Sequence, residues 1–151
     1  MTGFIIGKFC PPHLGHDHLI RTALAATESL IIIVCSKSNQ PISGALRAQW
    51  LQESYPAADV RLLNQDSFDD TSEAAWTTAT KQCLGLVPAL MFSSEDYGNH
   101  YAELLGCQHI LVDRDRVAVP ISATQILAKP LELEEYLLPV ARSWFRHQGR
   151  P

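Results

Sequence analysis

The stretch Gly7-Lys8-Phe9-Cys10-Pro11-Pro12-His13-Leu14-Gly15-His16 gathers residue types that hold phosphate. Gly7 and Gly15 let backbone approach a ligand closely, and Pro11 and Pro12 stiffen the loop between them. Lys8 adds a full positive charge, and Phe9 lies beside it in the same loop. His13 and His16 are three apart, about one helical turn, so both imidazoles can face one ligand. A helix beginning here offers free N–H groups and the positive end of its dipole. The loop is neither G-x-x-x-x-G-K-[ST] nor G-x-G-x-x-G. Zinc would accept Cys10, His13, His16 and His18, but all four crowd into nine residues with no second ligand cluster elsewhere in the chain. A purely structural role for the histidines is the third reading.

A second loop, Val119-Pro120-Ile121-Ser122-Ala123-Thr124-Gln125-Ile126, lies about a hundred residues downstream. Ser122 and Gln125 have the spacing of a capping box, which alone could account for both. A capped helix start also suits phosphate oxygens, and Thr124 brings another hydroxyl.

These loops need a frame, and the hydrophobic pattern supplies one. Apolar runs at Gly3–Phe9, Leu30–Cys35, Asp59–Leu63, Ala89–Ser93 and His109–Val112 predict five strands. Apolar character on both faces points to a parallel sheet covered by helices on each side. Helices are expected over His16–Glu28, Ala45–Tyr55, Ala74–Leu84 (with Asp70 and Glu73 at cap spacing), Tyr97–Leu105 and Ile121–Ala128. A helix over Leu131–His147, broken at Pro139, and a flexible tail over residues 148–151 are also expected. The expected fold is α/β: a doubly wound, Rossmann-like five-stranded parallel sheet in one domain over residues 1–151. Ligands in such folds bind beyond the C-terminal strand ends, at the switch point.

The 151 residues are 46% hydrophobic and 19% charged, which excludes a disordered chain. A net charge of −4 argues against a general nucleic-acid partner. No apolar run approaches a membrane span, and the N-terminus lacks the charged region of a signal peptide. Cys10, Cys35, Cys83 and Cys107 form no C-x-x-C pair, so free thiols in a reducing cytoplasm are expected. Nothing in the sequence sets an oligomeric state.

Together, strand, H-x-G-H loop, helix and the I-S-A-T-Q-I loop resemble the nucleotidylyltransferase superfamily. The detail G-K-F-x-P-x-H-x-G-H-x-x-L-I is similar to nicotinamide-nucleotide adenylyltransferases, in particular the adenylyltransferase domain of NadR-type regulators. Arg47 with Trp50-Leu51, Trp76, Ser93-Ser94-Glu95, Tyr101 with Leu105-Gly106, Leu111-Val112-Asp113 and Asp115-Arg116 extend the likeness over most of the chain. The resemblance implies transfer of AMP from ATP to nicotinamide mononucleotide, giving NAD and pyrophosphate, with Mg²⁺ arriving on ATP and no metal ligands from the protein.

It further implies His16, His13 and Lys8 as catalytic residues. Gly7, Phe9, Gly15, Ser93, Glu95, Arg116, Ile121, Ser122 and Thr124 would bind the nucleotide, and Trp76, Arg47 and Lys37 the acceptor. Read from the residues alone, Trp76 equally suits the core, Arg47 a solvated helix face and Lys37 a plain loop. Leu127 stands where the family has an arginine, which leaves Lys8, Arg116 and the less well placed Lys129 to meet the triphosphate charge. The kinase and DNA-binding segments of the full regulators are not in this sequence, so a free-standing transferase is expected. The rivals are nicotinate mononucleotide, phosphopantetheine or an alcohol phosphate as acceptor, or a non-catalytic nucleotide sensor.

Overall fold

A computed structural model describes residues 1–148. Strands β1 (Thr2–Gly7), β2 (Ser29–Ser36), β3 (Asp59–Asn64), β4 (Leu90–Ser93) and β5 (Gln108–Leu111) form one sheet in the order β3-β2-β1-β4-β5. Every pairing is parallel. The chain builds outward from β1 through β2 and β3, then crosses to the other side of β1 for β4 and β5. Connections therefore diverge between β1 and β4, and their C-terminal ends, Gly7 and Ser93, flank the crevice that such a switch point opens.

The two-residue period of a strand sends alternate side chains to opposite faces. Ile5, Ile32, Val34 and Phe92 pack with Leu19, Ile20 and Ala23 of α1 (Leu14–Ala26) and Leu51 of α2 (Gly44–Ser54). Phe4, Ile31, Ile33, Cys35 and Met91 pack on the other face with Leu84 of α3 (Glu73–Leu84) and Ala102 and Leu105 of α4 (Gly98–Leu105). A third cluster joins Ile42 and Trp50 to Ile126 of α5 (Ala123–Ala128) and Ala141 and Phe145 of α6 (Pro139–Gln148). This C-terminal segment supports the first loop. Leu138 N–H donates to the Pro12 carbonyl at 3.3 Å, and Leu137 bridges His13.

The expected elements are all present, with ends displaced by at most two residues through α5. The displacements have local causes. β1 stops at Gly7 rather than Phe9 because Phe9 turns the chain at φ +50°. α1 begins at Leu14 because His13, extended at φ −141°, is its N-cap. α3 is capped by Ser72, whose hydroxyl accepts from Ala75 N–H, and not by Asp70. The 131–147 stretch is not one broken helix: a 3-10 turn at Glu134–Tyr136 precedes α6, which Pro139 opens at a position that needs no N–H donor. Gln148 closes α6, and the rest of the expected tail lies outside the described residues. No helix among the described residues is long and apolar enough to cross a membrane.

Candidate active site

His13 and His16 cap their own helix. His13 Nδ1 accepts the Gly15 N–H at 3.0 Å, and His16 Nδ1 accepts the His13 N–H at 3.1 Å. This is a capping box in which both side chains are imidazoles. The consequence is chemical. An Nδ1 that accepts a hydrogen bond carries no proton, so each neutral ring bears its proton on Nε2 and becomes an Nε2–H donor. The rings stack with centroids 3.8 Å apart, and Phe9 lies 4.7 Å from His16. A Cβ on Gly15 would sit 2.7 Å from His13 Cε1, so no larger residue fits beneath the ring.

Burial pushes His13 down to about 4, helped by the Arg116 charge. Burial also holds His16 well below the ordinary histidine value, followed by its interactions with His13 and Arg116. Both rings are therefore neutral donors at physiological pH, set where they can stabilise negative charge without giving up a proton.

Two cavities meet at this point. The first, about 440 Å³, is lined by Phe9, His13, Gly15, His16, Glu95, Arg116, Thr124 and Leu127. The second, about 530 Å³, is walled by Gln65, Asp70, Glu73, Trp76 and Tyr101. Ile6, Gly7, Lys8, Ser93 and Tyr97 line both. The switch point is thus a seam between two binding spaces, with Lys8 on it and the histidine pair on one side.

The loop after β5 also lines the first cavity. The Asp113 carboxylate accepts from Val117, Ala118 and Val119 N–H at 2.8, 2.9 and 3.2 Å, and these bonds hold it below its usual value. Phe9, Asp113 and Arg116 all have φ near +50°, a rare region for residues with a side chain, and all three line the first cavity. Arg116 Nη1 donates to the Ile121 carbonyl at 2.6 Å, while Nη2 lies 3.7 Å from Glu95.

Several expected contacts fall differently. Ile121 is buried in the third core cluster and lines neither cavity; its contribution is the carbonyl that holds Arg116. Ser122 is the cap of α5, with its hydroxyl engaged by Gln125, and also lines neither cavity. Arg47 is wholly buried. Its guanidinium donates to the carbonyls of Ile42 and Cys35, both at 3.1 Å, to the Lys8 carbonyl and to Gln40 Oε1. It pins the strand exits together and lines neither cavity. Lys37 lines neither cavity and is paired with Asp70 at the rim of the second. Trp76 packs against the second core cluster, 4.5 Å from Tyr101, and also forms part of the wall of the second cavity. Gln65 was not singled out in the sequence. Its Oε1 is buried without a partner at the wall of the second cavity.

No protein-family model matches this chain. The chain is 28% identical to the trifunctional NAD biosynthesis/regulator protein NadR of Salmonella typhimurium over 95% of its own length. It is a homologue of NadR. It spans about 40% of the length of NadR. A structure of NadR in complex with NAD and AMP-PNP superposes with a TM-score of 0.69 at 22% identity, covering 93% of this chain and 45% of NadR. A bifunctional NMN adenylyltransferase/ADP ribose pyrophosphatase of Francisella tularensis, complexed with AMP and a manganese ion, gives 0.56 at 20% identity over 74% of this chain and 36% of its own. The fold is the Rossmann-like nucleotidylyltransferase fold.

Proposed function

We propose that this chain transfers the adenylyl group of ATP to nicotinamide mononucleotide, releasing pyrophosphate and forming NAD. The observation that carries the reading is the pair of neutral Nε2–H donors beside a seam between two cavities. Such a seam brings two nucleotides into line. The 5′-phosphate of the mononucleotide attacks the α-phosphorus, and the bond to pyrophosphate breaks on the far side. The nucleophile is already anionic, so no general base is needed and no covalent intermediate forms. Positioning and charge stabilisation then carry the rate.

His16 is assigned to the α-phosphate oxygens, and His13, Lys8 and Arg116 to the β/γ side. The divalent ion seen with AMP in the Francisella protein supports a metal-dependent reaction, with Mg²⁺ as the proposed ion. Among the described residues, no three His, Cys, Asp or Glu side chains converge as ligands, and the Asp113 carboxylate is taken up by backbone N–H groups. That donor set suits an ion held by phosphate oxygens and water. When bound, Mg²⁺ would neutralise triphosphate charge.

Gln65 favours nicotinamide over nicotinate. A carboxamide offers both a donor and an acceptor, so it can satisfy the buried Gln65 amide. A carboxylate offers only acceptors, and would leave the buried Gln65 Oε1 without a donor. The decisive assay is pyrophosphate release with ATP and CTP against nicotinamide and nicotinate mononucleotides, phosphopantetheine and an alcohol phosphate. Release is expected with ATP and nicotinamide mononucleotide, accompanied by a change in Trp76 fluorescence when the mononucleotide binds. Release only with another acceptor moves the assignment, and release with none leaves a nucleotide sensor.

Leu127 is 41% exposed on the wall of the first cavity, where an arginine would meet phosphate. Leu127→Arg should leave the melting temperature unchanged and hold or raise kcat/KM for ATP, because the fork of N–H donors enters open space. A fall in stability would place Leu127 in the packing instead.

A further inference from the structure

His109 on β5 has no part in the reading above, yet it is tied to the seam. Ser93, at the end of β4, lines both cavities, and its hydroxyl lies 2.6 Å from His109 Nε2. On the far side of the ring, His109 Nδ1 lies 2.9 Å from Asn99 Oδ1 on α4. An amide oxygen only accepts, so Nδ1 carries the proton and Nε2 is bare. His109 is therefore the opposite tautomer from His13 and His16. A bare Nε2 accepts the Ser93 O–H hydrogen bond, which leaves the Ser93 lone pairs as acceptors. The Glu95 carbonyl, a competing acceptor for the same proton, lies farther from the hydroxyl at 3.1 Å than His109 Nε2 does at 2.6 Å. One of the Ser93 lone pairs meets the Glu95 N–H at 3.3 Å. Another remains for a donor arriving in the cavities, and ribose hydroxyls are donors of that kind.

The packing around this hydrogen bond is close. Gly98 opens α4 directly over it. A Cβ there would fall 2.3 Å from His109 Nε2 and 2.5 Å from Ser93 Oγ. Only glycine lets the helix start so near. Burial lowers the His109 pKa against the opposing influence of Asp96, which favours the neutral ring.

We infer that His109 is a positioning residue: held by Asn99, it orients the Ser93 hydroxyl as an acceptor for a nucleotide ribose hydroxyl where the two cavities meet. The inference rests on the adenylyl-transfer reading for its substrate, but not for its geometry, and two measurements keep these apart. The first is long-range ¹⁵N NMR of the histidine rings. It should find His109 protonated at Nδ1 while His13 and His16 are protonated at Nε2. An Nε2-protonated His109 overturns the relay whatever the protein catalyses, and it can be read even if no substrate turns over.

The second is a double-mutant cycle with ATP and nicotinamide mononucleotide, or with whichever acceptor the assay above selects. Ser93→Ala and His109→Phe should each lower kcat/KM about tenfold, the worth of one oriented hydrogen bond. The double variant should be no worse than Ser93→Ala alone. Asn99→Asp, which keeps an acceptor for Nδ1–H, should retain most of the activity that Asn99→Leu loses. Additive losses in the double variant, or equal losses in the two Asn99 variants, would mean that His109 acts only through packing. Should His109→Phe fail to fold, the Asn99 pair carries the same comparison with the imidazole in place.

Discussion

His16→Ala is expected to lower kcat by about 10²–10³ while the protein keeps its fold and most of its affinity for ATP. The size follows from the donor's setting. The ring is held from three sides: Nδ1 by the His13 N–H, one face by His13 and another by Phe9. Such a donor needs no reorganisation as charge builds on the α-phosphate, and alanine leaves nothing in its place. The cap geometry also sets the pH profile. Both pKa values are lowered, so the neutral Nε2–H donors persist as pH falls through 6.5. The kcat/KM of the free enzyme should stay level through that range and drop only as pH approaches about 4. The same shift has a cost in stability. Between 6.5 and about 4 the unfolded chain takes up protons that the folded rings refuse, so folding weakens as pH falls across that window. A rate break at 6.5 would mean that the rings are not buried as neutral donors, and an unchanged kcat in His16→Ala would remove it from the chemistry.

The strands were legible because their apolar residues are β-branched and alternate between two covered faces, as Ile31 to Cys35 do. Their order was not. A run of alternating strands and helices says that connections cross over, but not on which side of β1 the fourth strand arrives; that depends on where α3 finds its apolar partners. The phosphate loop was legible by residue type, yet its geometry was hidden. Capping rules are framed for Ser, Thr, Asp or Asn followed by Glu or Gln, so the three-residue spacing of two histidines points to a shared ligand and not to a cap. Once the pair is taken as a capping box, the start of α1 and the tautomers of both rings follow. Gln65, His109 and Asn99 offered no local signal at all. They lie on three different elements, and only the sheet order brings His109 beside Ser93.

Arg47 is where a sequence likeness and the physical structure part most sharply, and it carries the largest expected change in stability. Arg47→Ala should cost about 3–5 kcal/mol in urea unfolding. The truncation removes four hydrogen bonds and strands the carbonyls of Lys8, Cys35 and Ile42 without their donor; buried acceptors left unpaired typically cost about 1–3 kcal/mol each. The affected carbonyls lie at the exit of β1, at the end of β2 and in the loop that enters α2, so the loss is not confined to one element. Arg47→Lys should recover only part of it. A lysine keeps the charge but replaces a planar fork of donors with a single point, and it cannot reach carbonyls in several directions at once. Because Lys8 lies on the seam between the two cavities, both variants should also raise the KM for nucleotide, in proportion to the stability they lose. A substrate-phosphate arginine would behave in the opposite way: Arg47→Ala would leave the unfolding midpoint in place and raise only the acceptor KM. Urea titration and acceptor kinetics on the same two variants therefore separate a residue that binds substrate from one that holds the site together.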